Sequence, residues 1–323
     1  MLENDISAWR CGIVLAAMIG VYLGMAIPEL YDPKDWPDYD IYKMQVEQWK
    51  PELRFDYHVK LALGALGADH IGNVKIIPLA ISAGFVVVTY LLAVQYSGKR
   101  YAALLAAGIV MASSVWRQFD TSAVHGYDWA FFFMLSMYFS KRKWYLNPVF
   151  FVLSIFCKSL AVLFLPVTLY MIYRSDMSLH RKLILGTVYG LLGIAFMLAS
   201  TYVRDYAGIQ FDAGGFIGGL GSWLFFFVVP DFWMAALMPL TMLMLLALWA
   251  RGNHNSGTVL LAMLNLSLYG AFLQGFTDDI WNEPYRYAPL VAMFGVGVAV
   301  MVEGFRLRQK EKVKDLKSLP KME

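Results

Sequence analysis

The chain alternates long apolar runs with short polar breaks. The runs fall near residues 9–27, 76–95, 102–116, 129–140, 147–157, 160–173, 183–202, 232–250, 258–275 and 288–305. Several approach the ~20 apolar residues that carry an α-helix across a bilayer. Backbone polar groups in lipid must find partners inside their own segment, so these runs predict helices. Strands of an outer-membrane barrel would instead alternate apolar and polar positions over about ten residues, a pattern absent here. The expected fold is therefore all-α, a polytopic transmembrane bundle of about ten helices. Residues 1–305 make that single domain and 306–323 a basic cytoplasmic tail. Residues 28–75 form a long first outer loop with room for short juxtamembrane helices. The Gly-rich stretch 214–230 fits a re-entrant segment, an interfacial segment or an extra crossing.

Composition supports the membrane reading. Of 323 residues, 59% are apolar and 16% charged, with a mean hydropathy of +0.53. A soluble domain carries roughly 25% charged residues. The net charge of +3 is too small to suggest nucleic acid as a partner. Cys11 and Cys157 lie at opposite faces by run counting, lack metal-ligand spacing around them, and predict no disulfide. Arg10 precedes an apolar run with no small-residue cleavage site, so that run reads as a retained helix.

Charge gives the orientation. With the N-terminus inside, the inner segments hold 17 basic and seven acidic residues, and the outer segments ten basic and 17 acidic. Lys and Arg favour the cytoplasmic side, which predicts both termini there and a multi-pass protein of the cell (inner or plasma) membrane.

Candidate chemistry gathers on the outer face. The first loop carries Asp32, Asp35, Asp38 and Asp40 among prolines and aromatics. A helix after Pro37 would hold Asp38 and Asp40 near its positive end. Either they are solvated caps, or one is a general base or a ligand of a divalent cation. The segment WRQFDTSAVHGYDW brings Arg117, Asp120, His125 and Asp128 within twelve residues. Asp128 opens an apolar run, where an acid is costly and tends to be used. His125 reads as a solvated loop residue. Lys158, in FCKSLAVLFLP, either snorkels to water or binds an anion such as a lipid phosphate. Arg286, between two tyrosines in EPYRYAPL, is either an interface anchor or a bidentate phosphate ligand.

The order of these motifs resembles the GT-C superfamily of polyprenyl-phosphate-dependent glycosyltransferases, protein O-mannosyltransferases and aminoarabinose transferases among them. PDYDIYKM stands where that family has its first-loop acidic motif, and RFDYHVKLALGALG where it has an HPPLYY…LG segment. YSGKRYAALLAAGIVMASS at 96–114 is similar to its turn before the third helix. CKSLAVLFLP matches a TKG-like motif, and EPYRYAPL a late Arg-Tyr pair. The likeness covers about residues 8–175, and the chain's end more loosely. It departs where Asp56-Tyr57-His58 replaces the proline pair and where Asp38-Tyr39-Asp40 replaces Asp-Glu. The resemblance implies inverting sugar transfer from a polyprenyl-phosphate donor, with Asp40 as base and Asp38 as the second choice. Lys158 and Arg286 would hold the donor phosphate; Asp128, His58, Arg117 and Tyr287 would line the substrate site. A divalent metal (Mg or Mn) on Asp40 and Asp128 stays open, as does the acceptor. A transporter or flippase of lipid-linked sugars, or a non-catalytic subunit with membrane-protein partners, are the alternatives.

Overall fold

The structure, a computed structural model, describes residues 6–32, 39–48, 58–203, 212–276 and 284–318. Among the described residues every regular element is helical. Each predicted apolar run falls on helix. In order these are α1 (Ala8–Ala26), α2 (Tyr39–Gln48), α3 (His58–Ile71), α4 (Ile76–Ser97), α5 (Arg100–Ala112), α6 (Ser114–Arg117), α7 (Asp128–Phe139) and α8 (Leu146–Cys157). They continue with α9 (Leu165–Arg174), α10 (Leu179–Val203), α11 (Ala213–Gly219), α12 (Ser222–Val228), α13 (Phe232–Trp249), α14 (His254–Ser267), α15 (Tyr269–Phe276) and α16 (Ala288–Ser318). Short 3-10 turns lie at Ile27–Tyr31, Ser159–Phe164 and Pro284–Tyr287.

Among the described residues four stretches are long and apolar enough to cross a membrane: Ala8–Tyr31, Ile76–Ser97, Phe232–Trp249 and Pro284–Arg306. Helices α5, α7, α8 and α9 have 13, 12, 12 and 10 residues. At 1.5 Å per residue they rise about 15–20 Å, short of a ~30 Å hydrocarbon core. The Gly-rich stretch contributes no single spanning helix, because α11 and α12 have seven residues each. The first outer loop does contain short helices, α2 and α3, with Asp40 in the first turn of α2.

Helix α16 forms the axis of the bundle. It packs against α4, α5, α13 and α14, and Ala288, Leu290, Val291, Ala292, Met293, Val296 and Ala299 are wholly buried. Without a hydrophobic drive between helices in lipid, small residues let backbones approach and gain dispersion contact. The α5 face toward α16 is Ala102, Ala103, Ala106 and Ala107, all buried. At Gly295 a Cβ would stand 2.8 Å from the Ala106 carbonyl oxygen, so this crossing requires glycine. The same device seats α11 on α15, where a Cβ on Gly219 would meet the Ala271 Cα at 2.5 Å. At the rim, α1 and α10 leave Trp9, Ile13, Val21, Leu183, Leu191 and Ile194 exposed, an apolar surface suited to acyl chains.

Cys11 and Cys157 are buried and are not joined in a disulfide.

Candidate functional site

The polar core of one bundle end is organised by Asp231, the residue before α13. Its carboxylate accepts from Ser113 Oγ (2.7 Å) and from the backbone N–H groups of Ser114 (2.8 Å) and Val115 (3.0 Å). The three donors belong to the start of α6, so a remote acid satisfies the orphan N–H groups of a helix N-terminus. Tyr127 closes the segment, its hydroxyl donating to the carbonyl oxygens of Trp116 (2.8 Å) and Val115 (3.2 Å). The chain from 113 to 128 is thereby fixed across the top of α4, where Ser82 Oγ donates to the Asp120 carbonyl at 2.7 Å.

On this platform a cationic and aromatic cluster forms. Tyr285 is buried and its ring lies 4.7 Å from the His125 ring and 5.5 Å from Phe119. Lys158 donates to the Tyr285 hydroxyl and sits 4.4 Å from that ring's centroid; Arg286 is 5.7 Å from it. Attraction between cations and ring faces strengthens where water is excluded. Lys158 reaches this position because α8 ends at Cys157 and Lys158 itself is extended, at φ −160° and ψ 115°. Lys60 joins from α3: it is 8% exposed, donates to the Val124 carbonyl and lies 5.6 Å from the Tyr42 ring. Burial, with the charges of Lys60, Lys158 and Arg286, presses the His125 pKa down to about 3. His125 is therefore neutral across the physiological range and packed between rings, not the solvated loop residue expected. Burial changes the outcome.

Several other expected residues meet this cluster at its edges. His58 opens α3 with its ring 6.4 Å from Phe156, two residues before Lys158. Asp128 is the first residue of α7 and is buried, and Lys60 and Lys158 act on its charge. Tyr287 is buried and its hydroxyl shares a 2.8 Å hydrogen bond with Ser222. Arg117 is exposed at the end of α6. Asp40 is exposed in the first turn of α2 and makes no hydrogen bond or ion pair among the described residues. It stands two residues from Tyr42, whose ring borders Lys60. Asp38 lies outside the described residues. Among the described residues no group of three or more His, Cys, Asp or Glu side chains is placed to hold a metal ion.

A second, acidic cluster occupies the other end of segment 117–128. Asp120 is 3% exposed, and burial with the charge of Glu29 raises its pKa to about 7. Thr121 donates to Glu29 at 3.1 Å.

Sequence reasoning did not single out Lys60, Tyr285 or Asp231. Lys60 lies in a polar-looking loop, and Asp231 follows Pro230 like an ordinary helix cap. An isolated charge inside ALGALG-type apolar sequence was the available signal for Lys60.

Comparison of the chain with protein-family models, curated proteins and solved structures gives no match.

Proposed function

We propose that this chain is a GT-C-type membrane glycosyltransferase. It moves a sugar, with inversion, from a polyprenyl-phosphate donor to a lipid, glycan or protein acceptor on the non-cytoplasmic face. The observation that carries the reading is the convergence of Lys60, Lys158 and Arg286 around Tyr285 and the neutral His125. Three cations brought from α3, the end of α8 and the Pro284–Tyr287 turn suit a phosphate group, and a ring-lined floor suits the sugar and prenyl carbons next to it.

In this reading Lys158 and Arg286 hold the donor phosphate and Lys60 adds a third charge. Asp40, or Asp38 in its place, takes the proton from the acceptor hydroxyl. The acceptor oxygen forms the new bond to the anomeric carbon from the face opposite the phosphate. The old carbon–oxygen bond breaks, and its electron pair leaves on the polyprenyl phosphate. The charge that develops there meets fixed cations, which lowers the barrier because they need no reorganisation. Asp128 beneath the cluster sets its electrostatic balance, while His58, Arg117 and Tyr287 border the substrates. The chain makes ten passes with both termini cytoplasmic, the short helices being extended by their flanking turns.

The test uses purified protein and a radiolabelled polyprenyl-phosphate sugar. Wild type transfers label, whereas Asp40→Asn or Asp38→Asn loses transfer and retains binding of undecaprenyl phosphate. Full transfer by both variants would remove the assigned base. Movement of donor into liposomes with no transfer product would replace the reading by a flippase.

A further inference from the structure

The opposite bundle end holds a polar cluster that sugar transfer does not use. Tyr96, at the end of α4, is 2% exposed, and its buried hydroxyl makes no well-formed hydrogen bond, Gln95 being the polar side chain that acts on it. Both side-chain polar atoms of the preceding Gln95 are equally buried and unpartnered, as is Nε of Arg174 at the end of α9. Lys141, just after α7, lies 4.3 Å from the Tyr96 ring centroid and donates to Asn255 Oδ1 at a long 3.4 Å. Asn255, at the start of α14, is fixed in turn by donating to the Tyr96 carbonyl oxygen at 2.9 Å. Four helix ends thus converge on one place.

The charge there is unbalanced. Burial lowers the Lys141 pKa; Asp176 draws it back up, and Arg174 pushes it further down. Asp176 is exposed and makes no ion pair with either cation among the described residues. A rotation bringing Gln95 to the Tyr96 hydroxyl would satisfy one amide atom and leave the other and Arg174 Nε unmet. Buried donors left unmet are costly and rare in native structures, and a half-buried cation pair served only by an exposed carboxylate outside ion-pair distance adds to that cost. An anion with several acceptor oxygens would meet all of these donors together.

We infer that Lys141, Arg174, Gln95 and Tyr96 form a second site, for a phosphate group, on the end of the bundle opposite Tyr285. The source is the headgroup of an anionic lipid or a free phosphate. A site at the ends of four helices of a membrane-spanning bundle suits the first, and the chemistry is shared by both. This inference is independent of the transfer reading, since none of its residues belongs to the Tyr285 cluster.

The full chain is purified in a neutral detergent and its thermal unfolding followed during titration. One arm adds short-chain phosphatidylglycerol with phosphatidylcholine as the neutral control; the other adds inorganic phosphate. The expected result is a saturable rise in Tm with phosphatidylglycerol or with phosphate, absent with phosphatidylcholine. Arg174→Gln should weaken the effective affinity at least about tenfold, as loss of one partner of a buried charge contact does. Arg181→Gln, a basic change at the same bundle end where Arg181 covers the Trp144 ring, should leave it unchanged. Response to the lipid alone identifies a headgroup site, and response to both identifies a site for the phosphate itself. No saturable rise in wild type, or equal affinity in wild type, Arg174→Gln and Arg181→Gln, overturns the proposal. If Arg174→Gln does not fold, Arg174→Lys and Gln95→Leu serve the same comparison, and unchanged affinity in both overturns it.

Discussion

The two ends of segment 117–128 are built in the same way with opposite signs. At one end Asp120 is buried against Glu29; at the other His125 is half-buried near Lys60, Lys158 and Arg286. In each case desolvation and like charge outweigh what favours the ion, which at Asp120 is the Tyr22 hydroxyl and the Arg117 charge. Desolvation and like charge both disfavour ionisation, so Asp120 tends to keep its proton and His125 to refuse one. The segment therefore sits neutral between an acidic and a basic neighbourhood. The difference is in what surrounds them: the acidic end is closed by α1 and α4, whereas the basic end is lined by rings and by three cations with capacity for an anion.

The largest test of this contrast removes a cation. Lys158→Ala should lower transfer by about 10²–10³-fold, the loss typical of one donor to a developing oxyanion, while undecaprenyl phosphate binding weakens in parallel. His125 should at the same time titrate higher, a change readable by NMR of labelled histidine. Next, Asp231→Ala strips three donors of their acceptor and should cost about 3 kcal/mol, measured by denaturant unfolding in detergent. Both ends of the segment should loosen together in hydrogen exchange, since both hang from α6.

Smaller effects separate the ends by pH. The folded-state pKa of His125, about 3, lies below its unfolded value. The unfolded chain therefore binds more protons between about pH 3 and 6.5, and stability falls on acidification through that window. Asp120 is the reverse: its folded pKa, about 7, lies above its unfolded value. Its contribution is full below about pH 4 and is lost as pH rises toward 7. One proton bounds each slope at about 1.4 kcal/mol per pH unit. Between about pH 4 and 6.5 the two effects oppose each other, so His125→Gln should leave a Tm that falls as pH rises through that range and Asp120→Asn one that rises. Unchanged curves would mean that neither group is buried as described. Smallest of all, Arg117→Gln between the two ends is exposed and should change stability by no more than about 0.5 kcal/mol.

Much of the helical framework was legible, because apolar runs and helices obey the same backbone constraint. Lys158 and Arg286 were also legible, as charges stranded at the ends of apolar segments. Lys60 and His125 were not, since their burial comes from α3 lying on α8 and from the 113–128 platform. Asp231 was hidden for a similar reason: its three partners lie more than a hundred residues earlier. The Gly-rich stretch was ambiguous because its glycines answer to the α15 backbone, which local sequence does not display. Asp40 was found as a helix-start acid and sits as one; its part in transfer belongs to the assay above.

The position of α16 at the axis bears on how the protein is made. It is the last of the described helices in the chain, and 72% of its apolar window is buried, against 17% for α1. Roughly 175 residues separate the end of α5 from its start. At ribosomal speeds of 5–20 residues per second, the alanine-lined slot of α5 stands open for on the order of 10–40 s. During that interval the half-built bundle must be shielded by lipid, by a chaperone or by the insertion machinery. A bulky side chain at Gly295 would therefore be felt when α16 enters the bundle, as a failure of assembly.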